Sequence, residues 1–221
     1  MQVLRDASLE LDAGELAGVW AKAGGGKTTL LEVAAGVLTP DDGRVVIDGR
    51  DLAGLSRRET SELLHRCVGL ATRQGPVMSD LSVAAWVELA LLSRVDRRTA
   101  RQRARQVLER VGVGEVADEP WRNLSDSERI LAAIGRAVVC EPKLLLVDDP
   151  TAGLDMMERL ALLDLLRSIA TTTGVAILIS ASDMADLQGV ESIWSLSEGY
   201  LLGPPRRGAT VVDLAQHLRQ G

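Results

Sequence analysis

Ala21-Lys22-Ala23-Gly24-Gly25-Gly26-Lys27-Thr28-Thr29 is the stretch of this 221-residue chain whose residue types and spacing are best suited to chemistry. It follows the apolar run Leu16 to Trp20 and opens the helical pattern Leu30-Leu31-Glu32-Val33-Ala34-Ala35. A strand, a glycine loop and a helix start in that order read as a P-loop, whose inward-pointing backbone N–H groups bind phosphate oxygens; the bland reading is a glycine-rich turn, and Gly-Lys-Thr at the helix start favours the P-loop. Gly24, Gly25 and Gly26 let the backbone approach phosphate with no Cβ in the way, Lys27 reaches the terminal phosphates, and the Thr28 hydroxyl sits where a magnesium ligand belongs. Thr29 completes the phosphate-facing turn. The usual pattern G-x-x-x-x-G-K-[ST] begins here with Ala21. If that position requires a positive φ, alanine costs roughly 1–2 kcal/mol.

The second chemical feature is Leu144-Leu145-Leu146-Val147-Asp148-Asp149-Pro150, a buried strand ending in two carboxylates. Beside a P-loop, Asp148 is placed to hold Mg²⁺ through water and Asp149 to polarise the attacking water. The pair also reads as a strand-to-turn junction, since Asp-Pro opens turns; Lys27 upstream favours the chemical reading.

The elements that must position these residues follow from hydrophobic patterning. Val3 to Leu11 alternates and reads as a strand feeding the P-loop strand, and Val45-Val46-Ile47 followed by Asp48-Gly49 reads as an antiparallel hairpin beside the main sheet. Arg57 to Arg66 is a polar helix and Val68 to Ala71 a short buried strand. Ser82 to Val111 gives two helices with an arginine-rich connection, Asp126 to Val139 a third amphipathic helix, and Leu160 to Ile169 another. Val175 to Ile179 is a buried strand and Ile193 to Leu202 a terminal hairpin. Unbroken apolar strands separated by helices indicate a mainly parallel sheet covered on both faces, an α/β architecture in one domain.

Composition narrows the function classes. A net charge of -6 gives no general attraction to nucleic acid, and the basic run Arg94 to Arg110 reads as the solvated face of a helix. Cys67 and Cys140 are too few and too far apart for a disulfide framework and read as buried, inert thiols in a reducing compartment. No signal pattern is present, and the longest candidate span, Val83 to Leu92, is interrupted by Glu88, so any membrane role comes through another chain. Trp20, Trp86, Trp121 and Trp194 lie in or beside apolar patterns and read as core, while His65 and His217 have no metal-ligand partner in the pattern.

Asn123-Leu124-Ser125-Asp126-Ser127-Glu128, the helix after it and the Asp148 strand together resemble the signature-to-Walker-B stretch of ABC ATPases, and Thr151-Ala152-Gly153-Leu154-Asp155 resembles their D-loop. The likeness extends from Asp12-Ala13-Gly14-Glu15 through Val45 to Leu52 and on to Leu196-Ser197-Glu198-Gly199, nearly the whole chain. Within the family it is most similar to the short ATPases that partner FtsX-like permeases in lipoprotein release, macrolide export and cell division. The resemblance implies a P-loop NTPase with a RecA-like core, an antiparallel β subdomain and an α-helical subdomain inserted at roughly 75–140 of a single domain, 1–221. It also implies ATP and Mg²⁺ as cofactors, and a second ABC ATPase chain as partner, in a homodimer or heterodimer that sandwiches each ATP between one P-loop and the other chain's signature. The implied location is the cytoplasmic side of the cell membrane, held there by an integral-membrane permease.

The departures from the family pattern bear on hydrolysis. The signature's two glycines are Asp126 and Ser127, which puts a Cβ at both positions, while Ser125 is retained and is the remaining donor to the γ-phosphate. The catalytic glutamate's position holds Asp149; a carboxylate retracted by about 1.5 Å costs on the order of a hundredfold in rate. Ser182 stands where the switch histidine belongs. Arg73 occupies the Q-loop glutamine's position, and a one-residue shift puts Gln74 there instead, as a third magnesium ligand with Thr28 and Asp148. The aromatic residue that stacks on adenine in the family would lie upstream of Val3. Two functions from different classes follow: an exporter ATPase with Asp149 and Ser182 as its catalytic pair, or a nucleotide-binding regulatory subunit that hydrolyses little. A soluble ABC ATPase without a permease is a third.

Overall fold

The computed structural model describes residues 3–204 and 211–213. The strands and helices in chain order are β1 Ser8–Glu10, β2 Leu16–Trp20, α1 Lys27–Ala34, β3 Val46–Ile47, β4 Arg50–Asp51, α2 Arg57–Cys67, β5 Val68–Ala71, α3 Val83–Leu89 and α4 Arg97–Arg110. They continue with α5 Asp126–Val138, β6 Leu144–Val147, α6 Met156–Thr173, β7 Ala176–Ala181, β8 Ser192–Ser197, β9 Tyr200–Leu202 and β10 Val211–Asp213.

Six strands form the central sheet in the order β5-β6-β7-β2-β8-β9, parallel throughout except for the β8–β9 hairpin. Register places Ala71 opposite Val147, Val147 opposite Ile179, and Trp20 opposite Ala181. The carboxyl ends of β5, β6, β7 and β2 therefore lie along one edge, where the crevice of an open α/β sheet binds ligands. Side-chain alternation divides the core. Leu144, Leu146 and Leu178 join α1 and α2 on one face, and Leu145, Val147, Ile177 and Ile179 join α3 to α6 on the other. Both faces are buried, which is why these strands read as continuous apolar runs.

The helices start where their sequences provide caps. Ser56 with Glu59, Ser125 with Glu128 and Asp155 with Glu158 each form a reciprocal capping box, and Ser82 and Asp96 cap α3 and α4 through their side chains. Helix α5 also approaches β5 closely. A Cβ at Gly69 would stand 2.6 Å from the Ala137 carbonyl oxygen, so only glycine permits this contact.

Several expectations change. The strand expected over Val3 to Leu11 is only Ser8–Glu10, and it pairs antiparallel with β10 in a separate two-stranded sheet rather than leading into β2. Asp6 at φ 46 breaks the extended run, and the Arg5 N–H turns to donate to the Gly199 carbonyl at 2.6 Å. Strand β10 also follows the hairpin expected to be terminal. The segment between α3 and α4 holds only Arg94; the other arginines of that basic run lie on α4 itself. Helix α6 extends beyond Leu160 to Ile169 at both ends, because Asp155 caps its start and Gly174 at φ 73 ends it. Cys67 is buried but Cys140 only partly; burial still pushes the Cys140 thiol up, away from the reactive thiolate. His65 lies on α2 in contact with Ser93 and Arg94, and His217 is outside the described residues.

Candidate functional site

Each element that ends at the carboxyl edge delivers a different group. β2 delivers the glycine loop, β5 leads to Arg73 and Gln74, β6 ends at Asp148 and Asp149, and β7 leads to Ser182.

The glycine loop is shaped for an anion. Gly24 and Gly26 have φ of 75 and 96, and a Cβ at Gly25 would stand 2.9 Å from both Ala21 Cβ and the Lys22 carbonyl oxygen. Ala21 itself is not among the positive-φ residues, so the missing first glycine costs no backbone strain; the alanine is buried against Gly25 instead. Among the described residues, α1 is the one α-helix without a side-chain cap: Gly26 stands at its N-cap and offers no acceptor. Its first N–H groups are left for a ligand, at the end of the helix where the dipole favours negative charge. Lys27 is buried, and its Nζ donates to the Ala21 carbonyl at 3.0 Å, which folds the cation over the loop. Thr29, the third residue of α1, is half-buried.

Five residues form one hydrogen-bonded cluster beside that loop. The Thr28 hydroxyl donates to Asp148 Oδ2 at 3.0 Å, which brings together the P-loop hydroxyl and the strand-end carboxylate. The Ser180 hydroxyl donates to Asp148 Oδ1 at 2.7 Å and accepts from the Asp149 N–H at 2.8 Å. The Ser182 hydroxyl donates to Asp149 Oδ2 at 2.7 Å. Asp149 Oδ1 is buried without a hydrogen-bond partner, and Asp149 sits at φ 47.

Ser125 and Gln74 lie outside this cluster. Ser125 caps α5, donating to Glu128 Oε2 at 2.7 Å, while Asp126 turns back to Arg129 at 3.3 Å. Gln74 is exposed in the loop after β5, and its neighbour Arg73 reaches the other way, to the backbone carbonyls of Asp149 and Pro150 at 3.3 and 3.4 Å and to that of Ala152. Sequence reasoning passed over Ser180. The signal was there: a hydroxyl within the apolar run Ile177 to Ala181 must find a partner once buried. Ser180→Ala strands one Asp148 oxygen and the Asp149 N–H, so a loss of about 1–3 kcal/mol of unfolding free energy is expected in urea melts. An unchanged midpoint would show that the two groups find other partners.

Residues 4–152 match the ABC transporter family. The chain belongs to that family. Among ABC relatives, it is 33% identical over 201 residues to the lipoprotein-releasing system ATP-binding protein LolD of Pseudomonas fluorescens, which covers 90% of this chain and 88% of the relative. It is 34% identical over 198 residues to LolD of Cereibacter sphaeroides, covering 89% and 88%. Solved ABC cassettes share the fold. A dimeric, post-hydrolysis state of MJ0796 bound to ADP and Pi matches with a TM-score of 0.81 at 23% identity, over 97% of this chain and 92% of the other. The cbiO1 protein from Clostridium perfringens, part of the ABC transporter complex cbiONQ, matches with a TM-score of 0.81 at 26% identity, over 90% and 80%. The chain is thus an ABC transporter ATP-binding subunit with a P-loop NTPase fold.

Proposed function

We propose that this ABC subunit closes on MgATP as one half of a cassette dimer, drives an FtsX-like membrane permease and hydrolyses ATP slowly. The observation that carries the reading is the uncapped start of α1 directly beside the Thr28–Asp148 hydrogen bond. Phosphate fits this loop because Gly24 leaves open space where a Cβ would stand, and magnesium fits the hydroxyl and carboxylate that already face each other. When bound, MgATP supplies the electrophilic phosphorus and a diphosphate leaving group. The chain's own residues do the rest. The loop N–H groups and Lys27 would hold the phosphates, Thr28 and Asp148 would hold the metal, and the Asp149 carboxylate, fixed at Oδ2 by Ser182, would take the water's proton.

A second reading, closure on ATP with little hydrolysis, is favoured by the signature segment. The Ser125 hydroxyl is spent on Glu128, and Asp126 and Glu128 place two carboxylates in the first turn of α5. Negative charge already occupies the helix end that would face a partner's γ-phosphate. Pairing with an intact ATPase chain does not remove the defect. One composite site would take Asp149 and Ser182 from this chain, and the other would take its Asp126 and Ser127.

No helix among the described residues is long and apolar enough to cross a membrane, so the proposed membrane contact runs through the permease. Val77 and Met78 project from the loop after β5 with relative exposures of 106% and 66%, an apolar tip suited to such a contact. Val77→Asp or Met78→Asp is expected to reduce co-purification with a co-expressed FtsX-like permease at least tenfold while ATP binding stays within about twofold, as loss of an apolar anchor would give. Unaltered co-purification would remove this loop as the docking surface.

A further inference from the structure

We propose that Arg73 is a positioning residue, which ties the loop after β5 to the turn carrying Asp149 and so fixes the backbone from which the carboxylate projects. The inference rests on the proposed function only for the role given to Asp149.

The guanidinium of Arg73 donates from Nε to the Asp149 carbonyl at 3.3 Å and from one terminal nitrogen to those of Pro150, at 3.4 Å, and Ala152. Three carbonyl dipoles converging on one point repel each other unless a cation stands between them. A planar guanidinium with several donors can satisfy all three, whereas glutamine at this position would bring two donors and no charge. Asp149 is held from the other side by Ser180 at its N–H and Ser182 at its carboxylate, while the stretch after it has few bonds of its own. Asp149 is at φ 47 and Gly153 at φ 77, and the buried Thr151 Oγ1 has no partner. The turn's internal hydrogen bonds are Ala152 N–H to the Asp149 carbonyl at 3.4 Å and Leu154 N–H to that of Thr151 at 3.1 Å.

The same loop is clamped two residues further on. A Cβ at Gly75 would stand 2.0 Å from Trp121 Nε1, so the loop backbone lies flat on the indole. Trp121 packs edge-on against Trp86 with ring centroids 4.5 Å apart, and Arg136 covers Trp86 at 5.0 Å. Arg73 on the 149–152 turn and Gly75 on Trp121 thus hold the loop at two neighbouring points, short of the exposed tip at Val77 and Met78.

Amide hydrogen exchange of the full chain tests the tether. Arg73→Met is expected to raise exchange at Ala152 and Leu154 on the order of tenfold, with the remote part of α6 unchanged; Arg73→Lys, which keeps the charge but not the fork, falls between. A purely structural arginine would instead raise exchange throughout the domain. Gly75→Ala, which pushes the loop off Trp121, is expected to speed the same two amides, and to add nothing in the Arg73→Met background. Trp121→Leu releases the same face of the loop and replaces Gly75→Ala if that variant does not fold. Unchanged exchange in Arg73→Met, or additive effects in the double variant, would overturn the proposal. Arg73→Met should keep the full ATP-induced rise in Tm. Absence of that rise in the unmodified chain would remove the nucleotide reading and leave the exchange result standing.

Discussion

Lys27→Ala is expected to abolish the rise in Tm that MgATP gives the unmodified chain. A ligand at a hundred times its Kd stabilises the native state by about 2.7 kcal/mol, and a domain of this size gains roughly 2–4 °C per kcal/mol, so the rise should be about 5–10 °C. Lys27 is the buried cation of the loop, and its Nζ rests on the Ala21 carbonyl. Removing it lowers the ligand-free Tm as well, because a buried hydrogen bond and the packed lysine stem are lost. The comparison must therefore be the ATP-induced difference in each protein, read by thermal melts with and without MgATP. Equal differences would mean that the loop is not the phosphate site.

Asp149→Glu together with Asp126→Gly and Ser127→Gly is expected to raise steady-state ATP hydrolysis by about a hundredfold, against about three- to tenfold for Asp149→Glu alone. The single change restores reach to the base but forces glutamate into a left-handed conformation, φ 47, that the shorter aspartate tolerates better. It also disturbs the 2.7 Å bond from Ser182. The glycines act at the other half of the composite site. They remove Asp126 and its tie to Arg129 from the first turn of α5 and let the backbone approach phosphate. Chemistry needs a closed site, so the combined gain should exceed the product of the separate gains. Robust turnover in the unmodified chain that falls in the triple variant would show that this chain has its own catalytic arrangement.

Much of the scaffold was legible because its signals are local. Gly-Gly-Gly-Lys-Thr after an apolar run, and Leu-Leu-Leu-Val before two aspartates, each specify backbone and chemistry within a few residues. The rest depends on contacts between distant segments. Ala21 read as strained only if its position needs a positive φ; its φ is ordinary, because that need is set by the folded path rather than by the residue. Ser180 became part of the site only when β6 and β7 were placed side by side. Arg73 read only as the occupant of the glutamine's position, with Gln74 one residue later, because counting along the chain gives a position and no direction. Its side chain turns to the backbone of the 149–152 turn, more than seventy residues away in sequence. The alternation from Val3 to Leu11 failed for a similar reason: Gly199 draws the backbone at Arg5 out of the strand path.

The close seat of α5 on Gly69 fixes one end of a rigid rod. From Ala137, pressed on the sheet, to Ser125 at the tip, the helix rises about 18 Å at 1.5 Å per residue. A tilt of about 10° about that seat sweeps Ser125 through roughly 3 Å, the length of one hydrogen bond. A rotation about that seat displaces the sheet end little, so nearly all of it is delivered at the Ser125 tip. With no glycine at Asp126 or Ser127 to absorb misalignment, the angle of this one helix sets whether the tip meets its target or misses it by a full bond.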